Sequence, residues 1–301
     1  MNAIRYLRFF GLAIALGAAA GTAAGQSSTV PSQATSLSNL GDLLDRLPNF
    51  PSFGLPGFMP KDVFQIYSSP HFGDLLHRDY MRVPLGLRAK IDDEFQAHVE
   101  VEGYFTHGLA DSAGYGLDRL ETGIKWEQSR AEPGAMDLHM SSGLDFITPL
   151  GRPPRDLTDG YRHTVPYVAF SKLLVPDHDL IGYSTLGIDL LSSTPLPSNF
   201  GRNQLHSDSF TVSGGFSRQW KTFQTLMTAS YSSTVLFSNE SHQVFGLRPA
   251  VVFPLTRWQG RHTRLTATVG GWSIWGPDGH EIGASGSVRV EFNYKSRQAK
   301  P

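Results

Sequence analysis

The sequence predicts an all-β fold, a transmembrane antiparallel up-and-down β-barrel of about 12 strands, from three observations. The clearest is Ile282 to Tyr294, where Ile282, Ala284, Gly286, Val288, Val290, Phe292 and Tyr294 share one parity and Gly283, Ser285, Ser287, Arg289, Glu291 and Asn293 the other. Successive side chains of a strand point to opposite faces, so one face is apolar and the other polar and charged. The second observation is an export signal at the start of the chain, and the third is an alternation of short and long connections between such segments. In a soluble sandwich the apolar face would meet a second sheet, whereas in a membrane barrel it meets lipid and the charged face lines the interior. The sandwich is the alternative fold.

Residues 1–25 read as a secretory signal peptide: Arg5 and Arg8, an apolar run from Phe9 to Ala20, then Gly21, Thr22, Ala23, Ala24 and Gly25. An apolar core of about twelve residues is short of the roughly twenty that a spanning helix needs. Loss of Arg5 and Arg8 takes the 26 basic residues to 24 against 27 acidic ones, a balance of −3, which argues against nucleic acid as a partner. The chain has no cysteine, so thiol catalysis and thiolate metal sites are excluded and folding does not rest on disulfides.

Residues 26–60 are rich in Ser, Pro, Gly and Asn around an amphipathic stripe of Leu37, Leu40, Leu43, Leu44 and Leu47. They read as a periplasmic leader, either a flexible tether or a plug or docking arm. A barrel is expected over 61–295, followed by a tail at 296–301.

Within the barrel, Met81, Val83, Leu85, Leu87, Ala89 and Ile91 oppose Arg82, Arg88 and Lys90. After an Asp92-Asp93-Glu94 turn, Phe95, Ala97, Val99, Val101, Gly103 and Phe105 oppose His98, Glu100 and Glu102. Leu120, Thr122, Ile124 and Trp126 oppose Arg119, Glu121, Lys125 and Glu127, and Leu138, Met140, Leu144 and Phe146 oppose Asp137, His139 and Asp145. Segments 163–175 and 180–191 carry apolar residues on both parities. Phe210 to Trp220, Phe223 to Phe237, Phe245 to Leu255 and Leu265 to Trp275 follow, then the closing stretch.

Asp92 to Glu94, Ala131 to Ala135, Pro176 to Asp179 and Lys221 to Thr222 are short connections, while those around 107–118, 150–161 and 194–204 are long. Outer-membrane barrels have short periplasmic turns and longer extracellular loops. A periplasmic turn at Asp92 requires an earlier ascending strand, and Val63 to Ser69 is the candidate. That makes the count even, with both ends in the periplasm, and sets Val63 to Ser69 beside the closing strand. Trp126, Phe146, Trp220, Phe237, Phe253, Trp258, Trp275, Phe292 and Tyr294 lie near segment ends, where interfacial aromatic belts belong.

The chemistry of catalysis is thin. No phosphate loop, His-Glu-x-x-His pair or Gly-x-Ser-x-Gly elbow occurs. Asn239-Glu240-Ser241-His242 holds the residue types of a hydrolase, but consecutive residues in a loop do not converge as a triad must. No catalytic, metal or cofactor site is therefore assigned, and a lipid hydrolase stays an alternative. What remains is the polar parity: Arg82, Arg88, Lys90, His98, Glu100, Glu102, Arg119, Glu121, Lys125, Glu127, Asp137, His139, Asp145, Arg289 and Glu291 are the expected lumen-lining residues. Opposed charges in a narrow pore can sort solutes, or they can pair and seal a structural interior.

Gly116-Leu117-Asp118-Arg119-Leu120-Glu121-Thr122-Gly123-Ile124-Lys125-Trp126 resembles the Gly-Leu-x-Asp-Leu-x-Leu-Gly-x-Lys-Tyr segment of the outer-membrane family named for the meta pathway of phenol degradation. Phe146-Ile147-Thr148-Pro149-Leu150-Gly151 is similar to that family's next strand with its Pro-x-Gly ending, and Val165 to Lys172 falls where the family has an apolar strand ending in Lys. The resemblance implies a transporter of hydrophobic or aromatic small molecules and brings no catalytic residues. The expected setting is the outer membrane of a Gram-negative bacterium, with lipid, a small-molecule solute and the barrel assembly machinery as partners. A structural or adhesive barrel is a further alternative.

Overall fold

A computed structural model of the chain describes residues 63–72, 81–92, 94–105, 115–128, 138–151, 158–175, 179–198, 203–238, 241–255 and 263–295. The signal segment, the leader, Asp137, Trp258 and the 296–301 tail lie outside them.

The strands are β1 (Val63–Ser68), β2 (His71–Phe72), β3 (Met81–Lys90), β4 (Phe95–Phe105), β5 (Gly116–Glu127), β6 (Leu138–Pro149) and β7 (Tyr161–Val175). They continue with β8 (Leu180–Ser193), β9 (Ser209–Gln219), β10 (Gln224–Ser233), β11 (Gln243–Pro254), β12 (Thr263–Gly276) and β13 (Gly279–Lys295). Each from β3 to β13 pairs antiparallel with its sequence neighbour, and β1 closes the sheet against β13 in the register Val63↔Lys295 to Ser68↔Val290. The expected pairing of the first segment with the last is therefore present.

β1 and β2 occupy one place in the wall, each lying between β13 and β3, so thirteen segments make a closed barrel of twelve strands. The break falls at Pro70, which has no N–H to give the ladder. Its carbonyl still accepts from Val288 N at 3.1 Å, and Ser69 N donates to Pro84 O at 3.3 Å.

Short turns gather at one end. Asp92 Oδ1 accepts from Glu94 N at 2.8 Å and Phe95 N at 2.7 Å, which closes β3 onto β4. Trp220 N donates to Phe223 O at 2.8 Å between β9 and β10. Two connections differ from the sequence reading. The segment expected to run to Phe237 stops at Ser233, because Thr234 O accepts from both Phe237 N and Ser238 N at 2.9 Å and reverses the chain. The β12–β13 connection is only Pro277 and Asp278, although it lies at the end that carries the long loops; Gly279 takes φ 101°, as a two-residue hairpin allows.

Burial decides between sandwich and barrel. Val269 is 60% exposed and Leu85 58%, whereas Glu102 and Arg289 are each 1% exposed. A sandwich would bury the apolar parity and wet the charged one, so the polarity is that of a protein whose outer face meets lipid. Outward aromatic residues form two bands. At the short-turn end Trp220 stacks on Phe223 (5.7 Å) and Phe223 meets Phe253 (6.1 Å); at the other, Phe245 meets Trp275 (5.5 Å) and Phe210 meets Tyr231 (6.0 Å). Eight residue steps separate Phe245 from Phe253, about 27 Å of strand and about 20 Å along the axis at a tilt near 40°, close to the roughly 25 Å apolar band of such barrels.

Candidate functional site: a two-sided lumen

The inward parity divides into two arcs. The first, on β1, β3 to β6 and β13, is charged and its charges pair sideways between wall residues. Glu102 accepts from Arg119 Nη2 at 3.2 Å on one side and faces Arg82 Nη1 at 3.8 Å on the other. Lys125 Nζ reaches Glu127 Oε1 at 2.7 Å, Gln96 Nε2 donates to Glu127 Oε2 at 3.1 Å, and Arg289 Nε lies 2.6 Å from Glu291 Oε1. Buried charges persist only when paired or hydrogen-bonded, and these pairs meet that condition within the wall.

Glycines set two of these groupings. The tip of the Tyr67 ring crosses over Gly86, where a Cβ would overlap it, and the ring has the guanidiniums of Arg289 on β13 (4.2 Å from its centroid) and Arg88 on β3 (4.9 Å) against it. Its hydroxyl donates to Glu100 Oε2 at 2.7 Å. Likewise His98, Gly123 and Asp145 form one cross-strand row on β4, β5 and β6. The absent Cβ of Gly123 leaves the space in which His98 Nε2 lies 3.8 Å from Asp145 Oδ1 and 3.4 Å from Glu121 Oε1.

The expected lining residues are thus brought to one arc, with Lys90 at its short-turn edge and His139 on β6; Asp137 lies outside the described residues. Arg119 is the most open of the paired cations, its side chain 33% exposed. Asp118, absent from the expected set, is buried beside Arg119. The register shifts between Glu102 and Gly103, so that Arg119 opposes Glu102 and Leu117 opposes Gly103, leaving Asp118 as the extra residue of a bulge. A bulge turns consecutive side chains off strict alternation, and no parity rule reveals it.

The second arc, on β7 to β11, is apolar and hydroxylic. Ala169, Ile181, Tyr183, Leu226, Ala250 and Val252 form one buried cluster, with Val165 and Tyr167 further along the wall. Tyr183 Oη lies 2.5 Å from Thr228 Oγ1, Thr211 Oγ1 lies 2.7 Å from Ser232 Oγ, Gln224 Nε2 donates to Ser217 Oγ at 2.5 Å, and Thr185 bonds Ser213. Arg248 is a buried guanidinium within this arc. At the long-loop mouth His163 bridges two carboxylates, its Nε2 3.0 Å from Asp159 Oδ2 and its Nδ1 3.0 Å from Asp189.

Of the hydrolase residue types, Asn239 and Glu240 lie outside the described residues. Ser241 is exposed and its Oγ accepts from Gln243 Nε2 at 3.3 Å, while His242 stacks on His206 at 6.4 Å.

No family model matches this chain, and no curated protein matches it. Among solved structures it is similar to a KdgM porin, at 9% identity and a TM-score of 0.45 over 76% of this chain and 99% of that one. It is also similar to the COG4313 outer membrane channel from Pseudomonas putida F1, at 10% identity and a TM-score of 0.49 over 77% and 94% of the two chains. A third is OpdQ of Pseudomonas aeruginosa, at 7% identity and 0.35 over 75% and 62%. No residue role passes across at these identities.

Proposed function

We propose that the protein is an outer-membrane channel of a Gram-negative cell that passes small molecules, hydrophobic or aromatic ones among them, through a narrow lumen. The observation that carries this reading is the inverted polarity of a closed wall, with Glu102, Arg289 and Glu291 inside and Leu85, Val269 and Ile282 outside. A closed sheet with a lipid-compatible exterior and a polar interior is the architecture through which solutes cross an outer membrane. The short-turn end, where Val63 joins the wall, is the periplasmic one.

The two arcs support a solute with an apolar body. Sideways pairing on β3 to β6 and β13 lowers the net field that the charged arc offers to an ion, and the arc on β7 to β11 adds apolar surface and hydroxyl groups. The resemblance of residues 116–172 to the meta-pathway family points the same way. Arg82, Arg88, Lys90, His98, Glu100, Glu102, Arg119, Glu121, Lys125, Glu127, Asp137, His139, Asp145, Arg289 and Glu291 are the proposed lining, with Asp118 added by the bulge.

Planar-bilayer recording and liposome swelling with the purified barrel test this reading. Stepwise conductance and uptake of small solutes are expected; absence of both overturns it. The sideways ion pairs also favour a second reading, a structural barrel whose loops bind partners, which predicts altered cell-surface binding with unaltered permeability.

A further inference from the structure

The hairpin of β9 and β10 carries basic groups and no acid: residues 209–233 include Arg218 and Lys221 and not one Asp or Glu. Arg218 shares its parity with Phe216, 54% exposed, and Trp220, 39% exposed, while Ser217 on the other parity is buried, so Arg218 stands on the lipid-facing side of the wall. Its cross-strand neighbours are Leu180 on β8 and Thr225 on β10. A cation on that face calls for a partner.

The indole of Trp220 is one. Trp220 Nε1 donates to Thr225 Oγ1 at 3.0 Å, which lays the ring back along the hairpin, and the Arg218 guanidinium lies over the ring with Cζ 3.8 Å from the centroid. Trp220 belongs to the aromatic band of the short-turn end through Phe223 and Phe253. Arg218 enters the wall two residue steps deeper than Trp220, about 7 Å of strand, so its guanidinium is carried outward to the level of that band. Gln219, on the inward parity, donates its Nε2 to Trp220 O at 2.8 Å and Phe223 O at 3.3 Å, which fixes the tip of the hairpin. Lys221 is exposed at that tip.

Arg218 differs in charge from the cations of the lumen. Arg119, Lys125 and Arg289 each have a carboxylate at 3.2 Å or less. Among the described residues Arg218 has none, and its Nε has no hydrogen-bond partner. Asp179 of the β7–β8 turn meets the hairpin through its backbone carbonyl, which accepts from Gln219 N at 3.4 Å. A guanidinium held by a ring at the edge of an apolar band keeps its donors for an oxyanion, and phosphate takes such donors in pairs. At that depth the oxyanion is the phosphodiester of a lipid headgroup.

We propose that Arg218, Trp220 and Lys221 form a headgroup site on the outer wall for an anionic glycerophospholipid of the periplasmic leaflet. Arg218 binds the phosphodiester, Lys221 adds a second positive charge, and the acyl chains lie along Phe216 and the outer face of β9. Two cations on a hairpin without acid favour a headgroup that has no ammonium of its own. The site rests on the lipid-facing wall, and the choice of leaflet on the periplasmic placement of the short-turn end proposed above; neither needs an open lumen.

Tryptophan quenching in reconstituted vesicles tests the site. The purified barrel is placed in phosphatidylcholine containing a minor fraction of phosphatidylglycerol or phosphatidylcholine brominated on its acyl chains, and the Trp220 signal is taken as the difference from Trp220→Phe. Brominated phosphatidylglycerol is expected to quench Trp220 severalfold more strongly than brominated phosphatidylcholine at the same mole fraction. Arg218→Gln with Lys221→Gln is expected to bring the two lipids to equality while conductance stays at the parent level, because both residues lie outside the lumen. Equal quenching in the unmodified barrel, or a preference that survives the double change, overturns the site, and no quenching by either lipid overturns the lipid-facing wall with it. Loss of conductance in the double variant would place these residues in the lumen and overturn the site as well. A parent that fails to conduct yet shows the preference fails the channel reading alone and leaves the lipid site standing.

Discussion

The Tyr67 hydroxyl donates to Glu100 Oε2 at 2.7 Å, so β1 reaches over β3 to β4 on the inside of the wall. The same ring has Arg289 of the closing strand and Arg88 of β3 against it. Barrel closure therefore has a side-chain clamp as well as a backbone ladder. Tyr67→Phe, which loses only the hydrogen bond, is expected to cost about 1 kcal/mol. Tyr67→Ala also removes the ring and both cation–π contacts and is expected to cost about 3–5 kcal/mol. Urea unfolding of the folded barrel, followed by its heat-modifiable gel mobility, measures both; equal midpoints for Tyr67→Ala and the unmodified protein would refute the clamp.

Glu102 carries a heavier electrostatic duty. Its carboxylate holds Arg119 at 3.2 Å and faces Arg82 at 3.8 Å while almost fully buried. Glu102→Ala leaves two guanidiniums in the wall without that charge, and truncating one partner of a buried pair costs about 3–5 kcal/mol. Glu102→Gln keeps an oxygen acceptor and is expected to fall between. The same unfolding assay orders the three; a Glu102→Ala barrel as stable as the parent would mean that water or other groups already serve the arginines.

Val269, in the middle of β12, is 60% exposed and apolar. On a lipid-facing wall an arginine near the bilayer midplane costs about 2–4 kcal/mol. On a surface bathed in water the same change costs almost nothing. Val269→Arg is therefore expected to impair assembly into membranes, and Val269→Leu to leave it intact. Recovery of folded barrel in the outer-membrane fraction reads the difference, and unimpaired recovery of Val269→Arg would place that face in water.

Much of this architecture was legible because lipid and lumen impose opposite demands on alternate residues. Along β13 the demand is unopposed, and its parity matches the observed faces through Arg289 and Glu291. Along β7 and β8 alternation blurs because Val165, Ala169, Ile181 and Tyr183 turn inward with an apolar lipid face behind them, so both parities read as core. That ambiguity was itself the trace of the second arc. Asp118 stayed hidden because a bulge breaks the two-residue period on which the reading relied. The Asn203–Asp278 hydrogen bonds join residues 75 apart, and no local pattern encodes a contact between two connections so distant in sequence.

Gly123 shows how a missing side chain organises charged ones. It lies between His98 and Asp145 in the cross-strand row, and a Cβ there would overlap His98 Cε1 and Asp145 Oδ1. Gly123→Ala must push both side chains off their present positions, away from the wall and into the lumen. Overpacking of this kind typically costs about 1–3 kcal/mol, and the displaced side chains are expected to lower single-channel conductance as well. His98→Ala reopens the space, so the double variant should recover more stability and conductance than the two single changes predict by addition; neighbours that share one site are coupled in this way. Additive losses in the double-mutant cycle would mean that Gly123 is needed for its backbone and not for the room it leaves.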